Sequence, residues 1–196
     1  MRVIAGKAKG RKLQAPPGLH TRPVTDRIKE ALFSIWQSYL YDANFLDLFS
    51  GSGSMGIEAM SRGAAYTVMV DQSKAAVSSI RENVKHCGLL EVPHHIYEQN
   101  IFHVLPLLER QGKKFDIIYV DPPFTVDELF EKSMEALADG RLLQPEGLVA
   151  IRTRTGRPLA EQFGCLQKFR LKTYGESQVH FYEVAEREEN SEGVLL

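Results

Sequence analysis

Two short stretches hold residues whose types and spacing could do chemistry. The first is Asp121-Pro122-Pro123-Phe124, which follows the apolar run FDIIYV (115–120). Two consecutive prolines fix two φ angles and remove two N–H donors. The Asp121 carboxylate and the Pro122 carbonyl are then two acceptors at a strand end, with the flat ring of Phe124 beside them. That set suits a planar base carrying an exocyclic amine. The amine donates both hydrogens, its nitrogen lone pair stays free, and the base stacks on the ring for roughly 1–3 kcal/mol. The second stretch is DLFSGSGSMG (47–56), where Gly51, Gly53 and Gly56 fit G-x-G-x-x-G. Such glycines let the backbone approach a ligand closely, and the helix beginning near Ser54 offers free N–H groups. Asp71 ends the next strand, a carboxylate able to accept from both hydroxyls of a ribose.

The loop and Asp71 would serve a nicotinamide dinucleotide and S-adenosylmethionine equally well. Two features break the tie. Asp47 closes the strand before the glycines, where it would repel a pyrophosphate but attract the ammonium of a methionine moiety. Asp121-Pro122-Pro123-Phe124 has no task in a dinucleotide-dependent oxidoreductase, and a catalytic Tyr-Lys or His pair for that chemistry is missing. The six histidines show no ligand spacing, so no metal is expected, and His180 in QVHFYE reads as structural. Cys87 and Cys165 stand in unrelated contexts and read as reduced, semi-buried filler.

These residues need a scaffold, and strand and helix patterns alternate along the chain. NFLDLF, Tyr66–Val70 ending at Asp71, His95–Tyr97, FDIIYV and GLVAIR (147–152) read as strands. Between them lie helices after the glycine loop, at 73–86, at 101–110 and at 126–139. Segments 166–174 and 178–185, joined by Gly175-Glu176-Ser177, read as a closing hairpin. The fold class that follows is α/β: a Rossmann-like, mostly parallel seven-stranded sheet with an antiparallel hairpin at its C-terminal end. Before it, residues 2–14 (RVIAGKAKGRKLQ) read as a short hairpin or two brief strands. Thr25 or Asp26 then caps a helix with the apolar stripe Ile28, Leu32, Ile35, Trp36 and Tyr39. The domain reading is an N-terminal extension over 1–43, a catalytic domain over 44–186 and a polar tail over 187–196.

The 196 residues carry a net charge of −1 and are 43% hydrophobic, enough for a sizeable core. No apolar run approaches a membrane span and no secretory leader opens the chain, so a cytoplasmic protein is expected. The charge is uneven. Residues 1–30 hold eight Lys or Arg against Asp26 and Glu30, while the remainder holds sixteen basic and twenty-three acidic groups. A basic arm on an acidic body points to a phosphate-rich partner, with Lys7, Lys9, Arg11, Lys12 and Arg22 as the gripping cations. Removing residues 1–20 is expected to weaken that grip and spare the cofactor pocket.

RVIAGKAKGRKL, TRPVTDRIKEALFSI, FLDLFSGSGSMGIEAMSRGA, DPPF and the closing YGESQVHFYE together resemble the bacterial 16S ribosomal RNA guanine-N2 methyltransferases of the RsmD type. The resemblance spans about residues 2–184. It implies a class I methyltransferase fold and methyl transfer from S-adenosylmethionine to a guanine N2 amine, guanine 966 in the family. It implies a cofactor site of Asp47, Phe49, Ser50, Gly51, Ser52, Gly53, Asp71, Gln72, Asn100 and Ile101. The catalytic set is Asp121, Pro122, Pro123 and Phe124. Asn100 stands where the family carries an acidic residue; its amide oxygen can still accept from the adenine amine. The implied partner is 16S ribosomal RNA in a small subunit or assembly intermediate, with no membrane; the residues do not fix an oligomeric state, and a monomer is favoured. From the residues alone, an adenine N6 amine or a glutamine amide would suit the same acceptor pair, and a catalytically silent RNA-binding protein would keep the basic arm.

Overall fold

In the computed structural model, which describes residues 1–17 and 24–185, five apolar runs pair in parallel. They are β1 (Asn44–Leu48), β2 (Tyr66–Asp71), β3 (His94–Glu98), β4 (Phe115–Val120) and β5 (Leu143–Arg154). The antiparallel strands β6 (Gln162–Phe163), β7 (Leu166–Tyr174) and β8 (Ser177–Val184) extend the sheet, giving the order β3-β2-β1-β4-β5-β8-β7-β6. The sheet thus has eight strands rather than seven. The additional one, β6, is a two-residue edge pairing too short to leave a period in the sequence. The chain leaves β1 towards β2 and β3 on one side and returns to β4 and β5 on the other. The switch in strand order falls between β1 and β4, where α/β sheets bind ligands beyond their strand ends.

Helices cover both faces. On one face α4 (Ile101–Arg110) and α5 (Glu128–Leu137) bury Val104, Leu108, Phe130 and Met134 against Leu46, Ile118 and Val149. On the other, α1 (Asp26–Ile35) buries Leu32 and Phe33, with Trp36 just beyond it, against Phe45, Tyr119 and Phe181. Thr25 caps α1, its hydroxyl accepting from the Ile28 N–H. The apolar stripe expected to reach Tyr39 stops earlier: α1 ends at Ile35, fully buried Trp36 takes the last core position, and Tyr39 is 40% exposed.

The N-terminal segment is a short hairpin, in which the Val3 N–H donates to the Arg11 carbonyl at 2.9 Å, the Gly10 N–H to the Val3 carbonyl at 2.9 Å and the Leu13 N–H to the Met1 carbonyl at 3.1 Å. A bridge between Arg2 and Lys12 joins its two arms, and the residues between them are stitched to α2 (Ser54–Ser61). The Glu58 carboxylate accepts from the Ile4 and Ala5 N–H groups at 2.8 and 3.0 Å, and the Ser61 carbonyl accepts from the Lys7 N–H at 2.8 Å. Gly6 makes this approach possible: its φ is +80°, and a Cβ there would lie 1.8 Å from the Ser61 oxygen. Val3, Ala8 and Leu13 share a core with Ile57 and Met60 of α2 and with Ile80 and Val84 of α3 (Lys74–His86). Hydrogen bonds to a neighbouring helix thus supplement the pairing of the two arms. Arg22 and the tail over 187–196 lie outside the described residues. Among the described residues, no helix is long and apolar enough to cross a membrane.

Candidate active site

A cavity of about 700 Å³ opens beyond the ends of β1, β2 and β4, within the size range of small-molecule sites. Asp47, Phe49, Ser50, Gly51, Ser52, Asp71, Gln72, Asn100 and Ile101 line it together with Asp121, Pro122, Pro123 and Phe124. Gly53 is not in the lining. It caps α2 at φ 75°, and a Cβ there would come within 3.1 Å of Ile80. Gly56 is a packing glycine, since a Cβ would meet Met69 at 2.6 Å. Phe49 adopts a left-handed φ of 60°, a strained conformation for a bulky residue that aims the chain into the loop. Ser50 braces the turn: its hydroxyl donates to the Asp47 carbonyl at 2.7 Å and accepts from the Val70 N–H at 3.0 Å.

The acidic residues meet different surroundings. Asp71 accepts from the Gly51 N–H at 2.8 Å through one oxygen and from the Ser73 N–H at 2.9 Å through the other. It ties the glycine loop to the start of α3, and each oxygen retains a second lone pair. Asp47 is 1% exposed and accepts from the Gly56 N–H at 3.0 Å. Burial first, and the nearby charges of Asp121 and Asp71 second, push its carboxyl up to about 8 against the pull of that N–H. Asn100 caps α4: its side-chain oxygen accepts from the Phe102 N–H at 3.0 Å and its amide donates to Gln72 at 3.2 Å. The oxygen read as an adenine acceptor therefore already serves a helix end.

At the opposite wall, the Pro123 carbonyl closes a turn by accepting from the Val126 N–H at 3.1 Å. Phe124 leans on Phe130, with ring centroids 6.2 Å apart. Asp121 is held from the side by Arg152, whose Nε donates to Oδ1 at 2.8 Å, while the Tyr119 hydroxyl lies 3.5 Å from Oδ2. The Arg152 guanidinium also lies over the Phe124 ring, 4.8 Å from its centroid. Sequence reasoning missed Arg152. The available signal was a charge closing the apolar run GLVAIR, which strand patterning alone does not interpret.

Also missed was a fourth wall. Met1, Ala15, Pro16 and Val24 line the cavity, and the Asn83 amide donates to both the Gln14 and the Ser52 carbonyls at 2.9 Å. Removing residues 1–20 would open this wall, so truncation is expected to disturb the pocket rather than spare it. Lys7, Lys9, Arg11 and Lys12 are exposed on the same loop. His180 is buried away from the cavity against Thr153 and Gln178. Burial, with Lys168 nearby, lowers it to about 4, leaving it neutral.

A doubly wound sheet with a glycine loop after β1, a carboxylate after β2 and an acceptor pair after β4 is the fold of the class I methyltransferases. The structure of a putative methyltransferase yhhF from Escherichia coli superposes with a TM-score of 0.80 at 31% identity, covering 94% of this chain and 97% of that one. The chain belongs to the family described as Conserved hypothetical protein 95, whose model matches residues 1–183. Among curated relatives, the putative rRNA methyltransferase YlbH of Bacillus subtilis is 35% identical over 93% of this chain and 98% of its own length. The ribosomal RNA small subunit methyltransferase D of Escherichia coli is 30% identical over 93% of this chain and 89% of its own. The RsmD-type resemblance read from the motifs is therefore a family membership.

Proposed function

We propose that this protein transfers a methyl group from S-adenosylmethionine to the N2 amine of a guanine in 16S ribosomal RNA, the family's guanine 966. One observation carries the reading. Asp121, Pro122 and Phe124 share a single cavity with the glycine loop and Asp71. A planar amine held at the first set faces a nucleoside held at the second.

The residues fit that cofactor. Asp71 offers oxygen lone pairs to a ribose diol, the backbone around Gly51 admits close approach, and Asp47 supplies a carboxyl for an ammonium. Bound S-adenosylmethionine supplies a methyl on a sulfonium, a leaving group that departs as a neutral thioether. Asp121 and the Pro122 carbonyl accept the two amine hydrogens and leave the nitrogen lone pair directed outward. Phe124 holds the base by stacking. An aniline-like amine is a weak nucleophile, so positioning carries most of the rate, and Asp121 receives the proton that the amine sheds after transfer. A base engaged in this way leaves its stack, which favours a loop or flipped nucleotide. Lys7, Lys9, Arg11 and Lys12, with Arg22, grip the flanking phosphates.

The test is radiolabelled S-adenosylmethionine with small ribosomal subunits from cells lacking the protein. Label recovered as N2-methylguanosine at one site is the expected result. Label on adenosine would overturn the base assignment, and cofactor binding without label in RNA would overturn the substrate class.

A further inference from the structure

We propose that Arg152 is a positioning residue that keeps Asp121 an acceptor and sets the angle between that acceptor and the Phe124 platform. This rests on the reading of Asp121-Pro122-Pro123-Phe124 as the amine-binding wall. The geometry is that of a clamp. One guanidinium donates through Nε to Asp121 Oδ1 at 2.8 Å and lies over the Phe124 ring at 4.8 Å. Its Nη1 donates to Ser177 Oγ at 3.3 Å, anchoring it to β8. The clamp is almost dry, with side-chain exposures of 6% for Arg152 and 13% for Asp121. A rigid planar group touching both elements fixes their mutual orientation, which a lysine, a point charge on a flexible stem, does not reproduce.

The charge matters as much as the shape. Three groups face Asp121: Tyr119 from its own strand, Arg152 from β5 and the Asp47 carboxyl from β1. Burial raises the Asp121 carboxyl, and the Arg152 charge and hydrogen bond are the main pull back towards the ionised form. A protonated carboxyl would offer a donor where an amine needs an acceptor. Arg152 thus preserves the acceptor, bonding to Oδ1 while the Tyr119 hydroxyl stands 3.5 Å from Oδ2.

The prediction separates charge from geometry. In Arg152→Gln, kcat for small-subunit RNA falls about 100-fold at neutral pH. The acidic limb of its pH profile moves up by roughly 1–3 pH units, so part of the activity returns in alkaline buffer. Arg152→Lys keeps the limb near its wild-type position but recovers only part of kcat. Cofactor affinity is unchanged in both. A wild-type kcat and pH profile in Arg152→Gln would overturn the proposal, as would complete recovery of kcat in Arg152→Lys. A second measurement needs neither substrate nor a stable glutamine variant: the carbon-13 carboxyl titration of Asp121 in the wild type and in Arg152→Lys. Asp121 ionised at pH 7 in both is expected, and a protonated Asp121 in the wild type at that pH would overturn the assignment. If wild-type protein methylates no RNA, the substrate reading fails, while a carboxyl titration that found Asp121 protonated at pH 7 would separately overturn the role of Arg152.

Discussion

Asp47 is buried and Asp121 partly buried on the same cavity wall, and burial raises both carboxyls, but their partners differ. Asp121 has an arginine, so deleting its side chain would leave a buried cation, a fault costing about 3–5 kcal/mol in such pairs. Asp121→Asn is therefore a cleaner probe than Asp121→Ala. It is expected to fold, to bind S-adenosylmethionine as the wild type does and to lose methyl transfer about 100-fold, read by isothermal titration beside a turnover assay. Asp47 has no such partner, and burial pushes its carboxyl up to about 8. Because this folded-state value lies above the unfolded one, its contribution to stability is fully present at acidic pH and is lost as the pH rises through about 8. A ligand ammonium at Asp47 would expel the proton. Cofactor binding at pH 7 should then release a proton and tighten towards pH 8, measurable by calorimetry in buffers of different ionisation enthalpy. Asp47→Asn should abolish the proton release and weaken binding. Undiminished release in that variant would assign the proton to another group.

At the scale of elements, the N-terminal loop joins two tasks. Its outer side carries Lys7, Lys9, Arg11 and Lys12, and its ends, Met1 and Ala15-Pro16, reach the cavity. Replacing the four cations by alanine should lower the slope of log affinity for RNA against log salt by about 3 and leave cofactor affinity unchanged. An unchanged slope would remove the loop from the RNA interface. Reading this loop from sequence was difficult for a definable reason. Alternating apolar and basic residues suggest a hairpin and its arms do pair, but the N–H groups of Ile4, Ala5 and Lys7 are satisfied by Glu58 and Ser61 of α2, which no local pattern announces. The closing hairpin β7–β8, in contrast, was legible because its turn residues and its strand period agree.

At the scale of the whole molecule, the loop is also a piece of core. Lys29 and Glu58 form a buried pair at 3.1 Å, and Lys29 additionally donates to the Arg2 carbonyl and to Ser54 at the start of α2. Deleting residues 1–13 would expose apolar surface beneath Val3, Ala8 and Leu13 and strip Glu58 of two backbone donors. The expected loss exceeds about 3 kcal/mol, visible as an earlier midpoint in urea unfolding. A midpoint equal to wild type would mean that the loop is not part of the cooperative unit.

The residues alone determined the order of strands and helices, the glycine loop after β1 and the acceptor pair after β4. Each depends on local rules: a side-chain period, a φ that glycine tolerates, a donor that proline lacks. Arg152 and Lys29 obey no local rule. Arg152 reaches Asp121 because β4 and β5 pair in parallel with Val120 opposite Ile151, which sets the next residues of each strand side by side. Lys29 reaches Glu58 because α1 and α2 cover the same sheet face. Only tertiary structure decides such meetings. The electrostatic free energy of a buried charge depends on what lies a few ångströms away in space, and sequence separation carries almost none of that information.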